Sequence, residues 1–199
     1  KPSSKKAAPT KGWANNSHAM LQISVSSHRV FEIGCNLAQV EQHLCDFGRV
    51  LEDLPALKVT NAWGPNQYRI AYSAVIAGVY QVELLSDVQV WLDTANHVLA
   101  VSPLQGCPAV AAQATLRSLT GQGQYTSTMA LQSQGSRTAA TYDVGITATI
   151  PKPVRLSLVP DVIARNAVQA VVKHRLDDIT NLFIVRTVQR LEHQPIEGR

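Results

Sequence analysis

The chain is poor in the residues that usually name a chemistry. Its three cysteines, Cys35, Cys45 and Cys107, are odd in number and show no CxxC spacing. That excludes a disulfide framework and a zinc knuckle, and it fits a reducing compartment. There is no HExxH and no nucleophile or phosphate-loop motif, so the sequence calls for no metal and no cofactor. No apolar run reaches the roughly 20 residues needed to span a bilayer, and no signal-peptide pattern is present. The formal charge of +4 belongs entirely to Lys1, Lys5, Lys6 and Lys11; without them 14 Lys and Arg face 14 Asp and Glu. A neutral folded part lacks the clustered basic face that nucleic-acid binding requires.

What is there is enough for one core: 199 residues, 45% of them hydrophobic, an expected single domain that needs no covalent staple. The first 19 residues, rich in Lys, Pro, Ser, Ala and Asn, read as a flexible basic tail. The chance-level sequon Asn15-Asn16-Ser17 lies within it. Residues 196–199, Ile-Glu-Gly-Arg, match the recognition sequence of a tag-removing protease and are set aside. The domain is therefore expected over 20–195.

Alternation at period two predicts a first strand from Leu21, resuming at Phe31 and Ile33. Asn36, with Gln39 three residues on, predicts a capped helix whose apolar face is Leu37, Val40, Leu44 and Phe47. A second short helix carries Val50, Leu51 and Leu54 and stops before Pro55. Strands follow at 57–63 and 67–77, divided by the turn Gly64-Pro65-Asn66. A long strand at 79–93, with a bulge expected near 84–87, precedes a shorter one at 97–102. Two very long strands, 113–132 and 137–150, form a hairpin through Ser133-Gln134-Gly135-Ser136. Gly121 and Gly123 are read as a bend in the first of these. Pro151 and Pro153 end the strands, Ser157 is a candidate cap, and 160–193 predicts one long helix with the stripe Val168, Val171, Val172, Leu176, Ile179, Leu182 and Phe183. Such a helix, about 50 Å long at roughly 1.5 Å per residue, needs a wide partner, and the only one on offer is the sheet.

This order resembles the helix-grip superfamily, also called SRPBCC, which includes START lipid-transfer domains and polyketide cyclases. The resemblance covers nearly all of Met20 to His193. Within it the chain resembles a family of unknown function from cyanobacteria and plastids, through Val30-Phe31-Glu32-Ile33, Tyr68-Arg69-Ile70, and Ile150-Pro151-Lys152-Pro153 followed by Leu158-Val159-Pro160. The resemblance implies an α+β fold in which a curved antiparallel sheet of about seven strands wraps one long C-terminal helix, with an apolar pocket between them. It supplies no site residues.

The pocket residues expected from the sequence alone are Tyr68, Tyr72, Tyr125, Met129 and Tyr142 on inward strand faces, and Val172 and Ile179 on the helix. A buried tyrosine offers an apolar body and a hydroxyl that needs a partner; each alone is equally a core residue. Arg117 and Glu83 lie where strand phase is ambiguous, so either is a candidate for anchoring a polar group. Glu83 and His174 are the candidate acid–base groups if the protein is a cyclase-type enzyme. His174, three residues before Asp177, also reads as an ordinary surface pair. Trp63 and Trp91 are expected at the sheet's outer surface or rim.

Three functions follow as expectations. The first is a carrier for a hydrophobic or amphipathic molecule such as a lipid, isoprenoid or pigment precursor. The second is a cyclase-type enzyme. The third is an assembly factor of photosynthetic membranes with a closed pocket and a protein partner. The location implied is the cytoplasm or a plastid stroma, with weak association of the lysine-rich tail with anionic membranes.

Overall fold

The computed structural model describes residues 20–52, 54, 57–76 and 80–193. The expectations for the basic tail, for Pro55, for the reversal at Gly78 and for residues 196–199 lie outside the described residues. Strand β1 (Met20–Ile33) leads into α1 (Leu37–Leu44) and α2 (Phe47–Glu52). Strands β2 (Leu57–Gly64), β3 (Gln67–Ile76), β4 (Tyr80–Asp93), β5 (Val98–Pro103), β6 (Gln113–Ala114), β7 (Ser118–Gln134) and β8 (Arg137–Pro151) follow. A single 3-10 turn at Val154–Leu156 precedes α3 (Asp161–His193).

The strands form one sheet in the order β1-β8-β7-β5-β4-β3-β2, with β6 paired to β7. All neighbours are antiparallel except one stretch, where β4 residues 81–85 run parallel to β7 residues 118–122. The expected α+β helix-grip architecture is the observed one.

Local chemistry explains the boundaries. Asn36 accepts from the Gln39 amide while the Gln39 side chain accepts from the Asn36 amide, a complete capping box. Asn66 and His97 turn their hairpins with φ of 57° and 56°, a region in which Asn and His are enriched among non-glycine residues. Gly135, at φ 72°, reverses the β7–β8 hairpin. Beyond β8, Lys152 is buried and its ammonium donates to the Ser157 carbonyl and to Asp161 Oδ1, tying the 3-10 turn to the start of α3. Ser157 ends the 3-10 turn rather than capping α3, and the Pro160 carbonyl accepts the first helical bond.

Two sequence expectations are corrected. The bulge expected in β4 near 84–87 is absent, since β3 and β4 pair without interruption from Gln67↔Gln89 to Ile76↔Tyr80. The irregularities lie in β2 instead, between Val59 and Asn61 and between Ala62 and Gly64. The ambiguous phase of 84–87 has another cause: Ser86, Asp87 and Val88 are all buried, because β4 is covered on both faces there. The predicted strand 113–132 is two strands divided by a turn in which the Thr115 hydroxyl accepts from the amides of Arg117 and Ser118.

Candidate functional site

The inner face of the sheet and α3 enclose a space that is closed at one end and open at the other. At the closed end, Val40 and Leu44 of α1, Phe47 and Leu51 of α2 and Leu54 just beyond it pack against the sheet and the C-terminal half of α3. Tyr142 packs on Phe183 with ring centroids 5.2 Å apart. Met129 is fully buried. The void left among Tyr125, Tyr142, Leu176, Ile179 and their neighbours is about 20 Å³, room for one water at most. The two tyrosine hydroxyls lie 2.9 Å apart and bond to each other. Burial pushes both phenols up, Tyr142 strongly, so they stay neutral at physiological pH. These inward hydroxyls thus satisfy one another and leave no unpaired group facing a ligand.

At the open end, a cavity of about 270 Å³ lies between the first turns of α3 and strands β4, β7 and β8. Val82, Leu84, Leu119 and Ile150 form its floor, and Val168 and Val172 its roof. Beneath this floor β7 has no side chain at Gly121, so Ile150 and Leu84 pack directly on its backbone: a Cβ there would meet Ile150 Cγ2 at 2.8 Å and Leu84 Cδ2 at 3.4 Å. On the helix side the wall includes Ala167, whose small side chain adds little bulk. Among the described residues, only Tyr80 and Arg155 bring polar groups to the cavity wall. The Tyr80 hydroxyl donates to the Ser118 carbonyl, and burial raises its pKa. Arg155 is exposed and makes no ion pair among the described residues.

The candidates named from the sequence divide between these regions. Val172 lines the open cavity. Tyr125, Tyr142 and Ile179 line the small void, Met129 is buried in the same cluster, and Tyr68 packs against its edge. Tyr72 packs against the cluster that walls the open cavity; its hydroxyl is buried without a hydrogen-bond partner, and burial raises its pKa. Arg117 is an exposed residue of the β6–β7 turn rather than a strand residue, and its carbonyl accepts from the Gln81 amide. Glu83 pairs with Ser73 on the outer face, so it points away from the cavity. His174 is exposed, with Nε2 3.7 Å from Asp178. The structure therefore brings neither acid–base candidate to the cavity. Val82, Leu84, Leu119, Tyr80 and Arg155 were not singled out from the sequence. The available signal was the alternation that puts Val82 and Leu84 on one face of β4.

The outer face holds a polar arrangement the sequence did not announce. Asp87 is buried; Arg69 donates to both its oxygens at 2.7 Å, Trp63 Nε1 at 3.3 Å, and Gln122 at 3.2 Å. Arg69 and Gln122 also bond the backbone of the β5–β6 loop at Pro108 and Val110. Beside this network a groove of about 480 Å³ is lined by Gln22, Gln105, Gln122, Gln124, Thr147 and Thr149 among others.

No family model matches the sequence, and no curated protein matches it. Solved structures do. A conserved protein from Geobacillus kaustophilus superposes with a TM-score of 0.54 at 13% identity, over 84% of this chain and 95% of that one. The Zhui aromatase/cyclase from a Streptomyces species gives 0.51 at 13% identity, over 88% and 99%. A protein from Thermus thermophilus gives 0.51 at 16% identity, over 84% and 98%. At these identities the likeness is one of fold, and the fold of this chain is the helix grip.

Proposed function

We propose that the protein is a non-catalytic binding protein for a small hydrophobic or amphipathic molecule, held between the sheet and the N-terminal half of α3. One observation carries the reading: a cavity of about 270 Å³ with an almost wholly aliphatic lining between the sheet and the helix. Its size lies just below the usual range for small-molecule sites, about 300–1,000 Å³. Each 100 Å² of apolar ligand surface removed from water would contribute about 2.5 kcal/mol. The absence of Glu83 and His174 from the lining favours binding over cyclase-type catalysis. Arg155 and Tyr80 are the groups placed to orient a polar end, which suits an amphipathic ligand such as a fatty acyl or isoprenoid compound. A setting near cyanobacterial or plastid photosynthetic membranes rests on the sequence resemblance alone.

The test is native mass spectrometry of the purified protein beside its denatured mass, then titration with the apolar fluorophore phenylnaphthylamine. A discrete mass lost on denaturation, or saturable uptake that Val172→Trp reduces by an order of magnitude, supports the reading. A bare mass with no uptake, or uptake indifferent to Val172→Trp, overturns it.

A further inference from the structure

The exposed large hydrophobic residues are not spread evenly. Of the ten among the described residues, Met20, Val75, Leu116, Leu158, Val162 and Ile163 lie at one end of the molecule. The strand registers show this. Met20 pairs with Pro151, Val75 with Gln81, and Gln81 with Ser118. Leu116 sits in the turn just before Ser118, while Leu158, Val162 and Ile163 follow directly from the end of β8. Leu158 is 97% exposed, so it contributes nothing to the core. This end also carries the mouth of the apolar cavity, since Pro153, Arg155 and Leu156 line both.

The charges at this end are mostly of one sign. Arg117, Arg155 and Arg165 are exposed, and Arg117 and Arg155 have no carboxylate partner among the described residues; Arg165 lies one helical turn from Asp161. The acid of the first helical turn, Asp161, is already held by Lys152, which keeps its carboxyl below the ordinary range. The chain enters β1 here, and the 19 residues before Met20 hold four lysines and no acidic residue. Hydrophobic tips among an excess of exposed cations are the composition of a surface that lies on an anionic bilayer: the apolar tips enter the acyl boundary while the guanidiniums meet lipid phosphates. A protein partner would be better matched by a contiguous apolar patch. Here the apolar groups stand on two strand ends, two connecting turns and the first turn of α3.

We propose that this end is a docking face for anionic membranes, placing the cavity mouth against the bilayer so that its occupant is exchanged with lipid rather than with water. The purpose assigned to docking rests on the cavity reading; the docking itself does not. The experiment is co-sedimentation of the full chain with vesicles of phosphatidylcholine, and of equimolar phosphatidylcholine and phosphatidylglycerol, at low and high salt. Sedimentation with the anionic vesicles alone is expected, weakening as salt rises. Leu158→Asp and the pair Arg117→Glu with Arg165→Glu should each weaken it about tenfold or more, whereas Val30→Asp, on the exposed face of β1, should not. Leu158→Asp should still take up phenylnaphthylamine, which separates loss of docking from loss of the cavity. Val172→Trp should still dock, and a Val172→Trp protein that docks yet takes up the fluorophore like wild type would sink the cavity reading while supporting docking. No sedimentation with anionic vesicles, or wild-type sedimentation of Leu158→Asp, overturns the proposal. So does a Leu158-dependent self-association in analytical ultracentrifugation without vesicle binding, which would assign the face to a protein interface.

Discussion

The most demanding single residue is Asp87. Its carboxylate is 3% exposed and paired with an Arg69 guanidinium that is 12% exposed. A charge so enclosed is tolerated only because every approach is filled by a donor. Asp87→Ala would leave the guanidinium buried without its partner, and should lower unfolding free energy by about 3–5 kcal/mol in urea titration. Replacing both, Asp87→Leu with Arg69→Met, should recover most of that loss; no recovery would mean that Trp63 and Gln122 depend on the carboxylate as much as Arg69 does. Tyr72 is the opposite case, a buried hydroxyl without a partner. Tyr72→Phe should leave stability unchanged or raise it by up to about 1 kcal/mol. A clear loss would show that the hydroxyl has an acceptor in solution. Alternation along β3 puts Arg69 on the face opposite Tyr68 and Ile70, and the structure has it there. Alternation had no means of showing that Asp87 on that face is buried, because the covering comes from the β5–β6 loop, a tertiary contact with no local signature.

Among the elements, α3 was the most legible and its flank the least. The spacing of Leu176 and Phe183 gave the buried stripe, since a period of 3.6 marks a face directly. Helical spacing puts Lys173 and Asp177 off the apolar stripe, yet Asp177 lies at the edge of that face and meets β1. There it accepts from Ser27 at 2.6 Å and from Arg29 at 3.0 Å, and it also pairs with Lys173. Periodicity says which way a helix faces but not which strand lies beside it. Hydrogen bonds from Lys173 and Ser27, with the nearby Lys173 and Arg29 charges, hold the Asp177 carboxyl below its ordinary range. A carboxyl whose folded pKa is depressed stabilises the fold above its unfolded pKa of about 3.9 and loses that contribution as pH falls through the lower folded value. Asp177→Asn should therefore cost on the order of 1 kcal/mol at neutral pH, given its partial exposure. The gap from wild type should close as the medium is taken well below pH ~4. A gap of constant size down to strong acid would assign the loss to geometry instead of charge.

For the whole molecule, the order of elements and the sheet–helix sandwich could be read from patterning, while the state of the gap between them could not. Whether it is open depends on how side chains from β4, β7, β8, the 3-10 turn and α3 fill a shared volume, and each of those segments alone looks like ordinary core. Phe47 and Leu51 close one end; at the other the wall is made of short side chains such as Ala167, Val168 and Val172. Paired overpacking substitutions compare the two ends. Ala140 is fully buried in the closed cluster, so Ala140→Val has nowhere to put its methyl groups and should cost about 1–3 kcal/mol. Gly121→Ala places a Cβ against Ile150, itself a wall of the cavity, so Ile150 can yield into empty space. Its cost should be smaller, and it should reduce phenylnaphthylamine uptake by narrowing the floor. Equal destabilisation by the two, with uptake untouched by Gly121→Ala, would mean that the wall does not move and that the apolar ligand sits elsewhere.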